Sequence, residues 1–159
     1  NKNHWNKNTE NFKKMKEVIH YIRQKIITRL NGNVSFGGSN VPVYNRVPST
    51  QDEPYIIVYS NDESNIDNNQ SSFITECVTR IEVVTSFLSD DGGELQANSI
   101  VNSILQLIRT SKTDYFDLSS NDFNVYTFNI EGISYIEDAD EEKTYFRALI
   151  DISNRVQQN

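Results

Sequence analysis

The chain has 159 residues, of which 36% are hydrophobic, and this is enough for one ordinary domain with a buried core. Its formal net charge of -7 argues against a chain that wraps nucleic acid, because phosphate binding depends on clustered lysine and arginine side chains. The longest apolar run, Tyr55 to Tyr59, is far shorter than the roughly 20 residues that cross a bilayer, so no membrane partner is expected.

The chain begins with a polar arm followed by an amphipathic helix. Residues 1–8, NKNHWNKN, lack a period and predict the arm, and residues 9–159 predict a single α+β domain. Because the first residue is Asn1 rather than Met, we expect the numbering to start inside a longer chain. Apolar residues then recur every three or four positions, which predicts a helix capped by Thr9 and stopped at Gly32. The stripe of this helix is Phe12, Met15, Val18, Ile19, Ile22, Ile26 and Leu30.

Three strands are predicted next. Val41 to Tyr44 is a β-prone patch among prolines and is expected at a sheet edge. Tyr55 to Ser60 has little polar alternation, which predicts a central strand with both faces covered and neighbours on both edges. Residues 61–72 hold almost nothing apolar and predict an exposed hairpin loop. Phe73 to Phe87 alternates, which predicts a long strand with one core face and one partly wet face.

The rest of the chain predicts a second helix and two closing strands. Ser89 is the predicted N-cap of the helix, and Leu95 lies in its apolar stripe. The strands are Phe123 to Ile136, with a bulge at Gly132, and Thr144 to Ser153, joined by the acidic turn EDADEEK. The order α-β-β-β-α-β-β predicts a single mainly antiparallel β-sheet flanked by two α-helices.

The sequence contains no motif that would carry a reaction. His4 and His20 have no cysteine or acidic cluster at metal-ligand spacing. Cys77, the single cysteine, alternates with apolar strand neighbours, which predicts a small buried side chain rather than a nucleophile. The glycine-rich runs SFGGSN and DDGGEL lack the lysine and hydroxyl spacing of a phosphate loop. We therefore expect no enzymatic activity, no cofactor and no metal.

Two carboxylates flank an arginine on the long predicted strand. Glu76 and Glu82, on either side of Arg80, have the residue types of an acid and base pair, but such catalysis needs a pocket that separates their pKa values. Ion pairing on the strand face needs no pocket, and it is the preferred interpretation.

Two short runs and the order of elements carry a resemblance to a known family. The first run is PYIIV, Pro54 to Val58, and the second is RIEV, Arg80 to Val83. From about Phe12 to about Ser153 the arrangement resembles the tail terminator or tail completion proteins of tailed bacteriophages. The resemblance implies a non-enzymatic virion protein, assembled in the host cytoplasm. It also implies a homo-oligomeric ring at the head-tail (neck) interface, between the portal-side connector and the tail-tube proteins, through which DNA passes.

If the resemblance holds, exposed acidic loops are expected to face the ring lumen or the adjoining ring, because a negative wall repels phosphates. The first group of candidates is Asp138, Asp140, Glu141 and Glu142. The second group is Asp62, Glu63 and Asp67. Two other classes stay open: a small non-enzymatic α+β interaction module of a secretion or contractile-injection system, and a small hydrolase whose site is not visible in the sequence.

Overall fold

Two α-helices and eight strands form in the part of the chain that the computed structural model describes. That part comprises residues 13–68, 72–88 and 92–159, with the side chains of residues 67 and 68 excepted. A short 3-10 helix, Ser119–Asn121, precedes the sixth strand. In chain order the helices and strands are α1 (Ile19–Leu30), β1 (Ser35–Phe36), β2 (Ser39–Asn40), β3 (Val43–Tyr44), β4 (Tyr55–Asn68), β5 (Phe73–Leu88), α2 (Leu95–Ile108), β6 (Phe123–Val125), β7 (Asn129–Ala139) and β8 (Lys143–Gln158).

The main sheet has six strands in the order β3-β4-β5-β8-β6, and β7 pairs with β8 on the same side as β6. Every pair in it is antiparallel except β3 with β4. The fold is thus α+β with a mainly antiparallel sheet and two helices, as predicted. The predicted single sheet with five strands is wrong in detail, because β1 and β2 form a separate hairpin and the first closing strand is divided into β6 and β7.

Both helices pack on one face of the main sheet. Each presents a stripe of side chains at three- and four-residue spacing, and these stripes join the inward side chains of the strands in one hydrophobic core. Each fully buried isoleucine in it contributes roughly 1.5–3 kcal/mol. The strand residues of this core include Ile56, Val58, Cys77, Ile81, Val83, Ala148, Ile150 and Ile152. The opposite face of the sheet, here called the outer face, has no helix of the described chain packed on it.

The first helix is shorter than predicted. Thr9, its predicted N-cap, lies outside the described residues, and residues 13–18 are not helical. Instead the side chain of Gln158 accepts a hydrogen bond from the backbone N–H of Lys16 at 2.9 Å and donates one to the carbonyl of Lys14 at 2.8 Å. Met15, predicted on the helical stripe, is consequently exposed. The predicted stop at Gly32 is consistent with its φ of 78°, a value that glycine adopts without strain.

The hairpin of β4 and β5 is longer than predicted. Residues 61–68 were expected in an exposed loop, but they continue β4 and pair with β5 as far as Asn68 opposite Phe73. The register shifts twice, between Ser60 and Asp62 and between Asn65 and Asp67. Backbone pairing does not require apolar side chains, and the long β5 supplies the partner groups for this polar extension.

The first part of β4 is less enclosed than predicted. β3 pairs with β4 only at Ile56 and Ile57, so the rest of β4 has no second neighbour among the described residues. The prediction that both faces of this strand are covered is wrong. Ile56 and Val58 are fully buried against the helices, whereas Tyr55, Ile57 and other residues of the outer face are half-buried. Burial in β4 therefore alternates, although the composition of the strand does not.

The start of α2 also differs from the prediction. Ser89, the predicted N-cap, lies outside the described residues, and the helix begins at Leu95. Gly92 has a φ of 93°, and a side chain there would overlap the ring of Phe87. Leu95 was expected in the buried stripe but is 79% exposed. The buried stripe starts instead at Ala97.

The closing strands confirm one prediction and correct two. The predicted bulge is present, since the register shifts between Ile130 and Gly132. The strand expected from Phe123 to Ile136 is interrupted between β6 and β7, where Asn154 Nδ2 donates to the carbonyl of Thr127 at 3.1 Å. β8 was expected to end at Ser153, but it continues to Gln158 because β5 and β6 both pair with this last part.

Candidate functional site: two acidic groups and the outer face

The acidic turn between β7 and β8 is tighter than the sequence suggested. β7 continues through Ala139, so Asp138 belongs to the strand, and only residues 140–142 form the turn. Asp140 Oδ1 accepts hydrogen bonds from the backbone N–H groups of Lys143 at 2.7 Å and Glu142 at 2.9 Å. These bonds lower the pKa of the Asp140 carboxyl. Asp140 is therefore a structural part of the turn as well as a surface charge.

The other three members of the first acidic group are exposed. Asp138 Oδ1 accepts a hydrogen bond from the neighbouring backbone N–H of Ala139 at 3.0 Å. Glu141 and Glu142 project from the tip of the hairpin. Because these three carboxylates are exposed, their negative charge extends into the surrounding solvent.

The members of the second acidic group differ in exposure, because successive side chains of β4 point to opposite faces of the sheet. Asp62 is exposed and lies opposite Val78. Glu63 is half-buried, and burial followed by the nearby charge of Glu17 raises the pKa of its carboxyl. Asp67 lies in β4 opposite Ile74, and its side chain is not among those that the structure describes. Glu63 thus lies in β4 and contacts the segment before α1, rather than lying on an exposed loop as predicted, and its role at a lumen or between rings stays a prediction.

The structure does not bring the two acidic groups together. Asp62 is opposite Val78 on β5, whereas Asp138 is opposite Tyr145, which pairs with Ser86 of β5. Eight residues along β5 separate these levels, or roughly 26 Å at about 3.3 Å per residue. The two groups therefore mark opposite ends of the sheet, and they cannot form one compact site within a single copy.

Between these ends, the outer face is crossed by ion pairs that link β5 to β8. Arg80 Nε and Nη2 donate to Asp151 at 2.7 and 2.9 Å, a bidentate arrangement. The Arg80 hydrogen bonds hold the pKa of the Asp151 carboxyl below its usual range. Arg147 Nη1 donates to Glu82 at 3.1 Å, and Ser153 donates to Glu76 at 2.8 Å.

The predicted ion pairing is confirmed for Glu82, which pairs with Arg147, whereas the partner of Glu76 in the described chain is the hydroxyl of Ser153. Neither carboxylate pairs with Arg80, which lies between them in sequence; both contact β8 instead. Asp151 is 71 residues from Arg80, so no local spacing signals the pair. The charges of the outer face largely neutralise one another, and no strong single-sign potential is expected at its centre.

The described residues offer little for covalent or metal chemistry. His20 is partly exposed, and its ring contacts Glu17. Cys77 is fully buried, and burial raises the pKa of its thiol, so the thiolate form is suppressed. No group of three histidine, cysteine, aspartate or glutamate side chains within residues 13–68, 72–88 and 92–159 is placed to hold a metal ion.

One apolar groove lies beside the start of α2. It has a volume of about 720 Å³, and its described walls include Phe36, Phe87 and Leu95. Glu94 and Ser99 are its only described carboxylate and hydroxyl, and no histidine, cysteine or lysine is among these wall residues. Among these described wall residues, no serine, threonine or cysteine stands beside a histidine or lysine.

No family model matches the chain, and no curated protein matches it significantly. Neither helix of the described chain combines the length and apolar composition that a membrane crossing requires.

Proposed function

We propose that this chain is a structural virion protein of a tailed bacteriophage. In this proposal it forms a ring at the head-tail (neck) interface, terminates or completes the tail, and lets DNA pass through. The observation that carries the proposal is the one-sided fold. Both helices cover one face of the sheet, and the outer face is left without a covering element in the described chain.

A closed ring needs two different contact surfaces on each subunit, because its interfaces are heterologous. The outer face offers one surface, where half-buried Tyr55, Ile57 and Tyr59 adjoin the ion pairs of β5 and β8. The part of β4 beyond Ile57 offers another, since its outer edge has no partner strand among the described residues. Mixed apolar and polar surfaces of this kind are typical of protein interfaces.

The exposed acidic tip of the β7–β8 hairpin suits the passage of DNA. Asp138, Glu141 and Glu142 carry negative charge at one end of the sheet, where a ring would place the same charge in every copy. Repeated negative charge repels phosphates, so duplex DNA would pass without being gripped.

The mass of the purified protein in solution tests the ring directly. Light scattering is expected to give a closed multiple of the subunit mass, and negative-stain images are expected to show annular particles. A chain that is monomeric at the concentrations reached during assembly, and monomeric within the particle, would rule out the ring. A ring found in a secretion or contractile-injection assembly instead of a virion would favour the alternative class.

A further inference from the structure

The apolar groove beside α2 lies at the end of the sheet that carries the acidic β7–β8 hairpin. Phe87, one of its walls, is opposite Thr144, close to the start of β8. Leu95, another wall, is 79% exposed. The groove volume of about 720 Å³ is within the range of roughly 300–1,000 Å³ that is typical of ligand pockets. Exposed apolar walls in a groove of this size suit an apolar side chain from a partner.

The charge around the groove is negative. Glu94 is one of its walls, and burial followed by the charge of Glu94 raises the pKa of the Tyr135 hydroxyl on β7. Glu137 is opposite Phe146, whose ring centroid lies 5.9 Å from that of Phe87. The described walls include no lysine or arginine. An occupant that fits the groove therefore carries an apolar side chain with cations beside it.

The segment before α1 exposes this combination. Met15 is 46% exposed and has Lys13, Lys14 and Lys16 as sequence neighbours. Lys16 is paired with an aspartate, whereas no ion pair in the described chain involves Lys13 or Lys14. Gln158 bonds the backbone of Lys14 and Lys16, so the chain on both sides of Met15 is held in place. A contact made by a segment that is already ordered costs less conformational entropy.

This segment and the groove lie at opposite ends of the sheet. Asn65 Nδ2 of β4 donates to Met15 Sδ at 3.7 Å, and Asn65 is opposite Thr75 of β5. Twelve residues along β5 separate Thr75 from Phe87, or roughly 40 Å at about 3.3 Å per residue. Met15 therefore cannot fill the groove of its own copy.

We propose that Met15 of one copy inserts into the apolar groove of the next copy, with Lys13 and Lys14 beside Glu94 and Glu137. The contact joins two different surfaces, which is the type of contact that generates a ring. The methionine side chain is flexible, and its sulfur packs favourably against aromatic rings such as those in the groove walls. The inference rests on the proposed ring, for which it names a contact between neighbouring subunits.

A mixture of two defective proteins tests this contact. Met15→Glu prevents insertion but keeps the groove, and Leu95→Glu alters the groove but keeps Met15. Each change should raise the concentration at which half of the subunits are associated by at least about tenfold. The two variants mixed should form 1:1 pairs at a concentration where each alone is monomeric, because the mixture allows one intact contact per pair. Analytical ultracentrifugation measures both effects.

Conservative changes at the same two positions are the controls. Met15→Leu and Leu95→Met keep the apolar side chain, so both should assemble like wild type. Circular dichroism checks that every variant is folded, which is expected because both side chains are exposed.

A charge swap tests the acidic rim separately. Lys13→Glu with Lys14→Glu should weaken association, and adding Glu94→Lys with Glu137→Lys to the same chain should restore it. Wild-type rings that persist in Met15→Glu and Leu95→Glu would overturn this contact but leave the proposed ring intact. Mixed variants that do not pair would assign the groove to a different partner and would also overturn it. A monomeric wild type would overturn the ring and this inference together.

Discussion

Asp114 joins the loop after α2 to α1 through a single carboxylate. It accepts hydrogen bonds from Arg29 Nη1 at 2.8 Å and Nη2 at 3.0 Å, and from the backbone N–H of Thr110 at 2.9 Å. The side chain is 15% exposed, and the guanidinium of Arg29 holds the pKa of this carboxyl well below its usual range. The ionised form of Asp114 therefore stabilises the folded state.

We expect Asp114→Asn to lower the free energy of unfolding by about 1.5–3 kcal/mol at neutral pH. The pKa is lower in the folded chain than the value of about 3.9 expected when unfolded, so the stabilisation is complete above that value. It is lost as pH falls through the folded pKa. Denaturant unfolding at neutral and at strongly acidic pH should show the difference between wild type and variant shrinking in acid. Asp52→Asn, at an exposed site, is the control, and a difference independent of pH would contradict the assignment.

Two neighbouring residues of β4 should respond differently to the same truncation. Ile56 is fully buried against the helices, whereas Ile57 is half-buried on the outer face. Ile56→Ala is expected to lower the free energy of unfolding by about 2–5 kcal/mol, because it leaves a cavity in the core. Ile57→Ala should cost about 1 kcal/mol, since solvent reaches the site. Equal losses in urea denaturation would show that the outer face is covered in solution.

At the scale of elements, one side chain connects the two ends of the described chain. Gln158 of β8 is 5% exposed and bonds the backbone of both Lys14 and Lys16. We expect Gln158→Ala to lower the free energy of unfolding by about 1–3 kcal/mol, because it leaves these backbone groups without their partners. Hydrogen exchange at the amide of Lys16 should become faster. Gln157→Ala, one residue earlier on the opposite face, is the matched control and should leave that amide unchanged.

Elements that depend on local pattern were predictable from the sequence, and those that depend on distant partners were not. The alternation of β5 predicted its buried face, and the spacing of Ile19, Ile22 and Ile26 predicted the stripe of α1. The polar end of β4 was missed because β5, rather than its own composition, holds it in the sheet.

The same distinction applies to the candidate site. Composition alone predicted the exposed acidic turn, because runs of carboxylates are rarely buried. It did not predict that Asp140 fixes that turn or that Glu63 contacts the segment before α1, since both roles depend on three-dimensional neighbours. The bidentate pair of Arg80 and Asp151 joins strands far apart in the sequence and was also missed.

At the scale of the whole molecule, the net charge of -7 is unevenly distributed. Cross-strand pairs neutralise much of the charge on the outer face, whereas no ion pair within the described chain involves the carboxylates at the tip of the β7–β8 hairpin. If subunits form the proposed ring, rotation repeats this tip in every copy. The combined charge would then act on DNA far more strongly than the charge of one subunit.

We expect the wild-type assembly not to bind duplex DNA tightly at physiological salt, and the variant Asp138→Lys with Glu141→Lys and Glu142→Lys to bind it. Asp140 is kept, because its hydrogen bonds hold the turn. Each subunit of the variant gains six units of positive charge relative to wild type, and the repeated lysines would release counterions from the phosphates, so binding should weaken steeply as salt rises.

Fluorescence anisotropy with a labelled duplex, measured over a series of salt concentrations, tests this expectation. The neutral variant Asp138→Asn with Glu141→Gln and Glu142→Gln separates loss of repulsion from gain of attraction, and it should bind far more weakly than the lysine variant. Light scattering must first show that all three proteins have the same assembly state. Tight binding by wild type would mean that the tip does not repel DNA. An intact lysine assembly that fails to bind would mean that the tip faces away from any path that DNA can take.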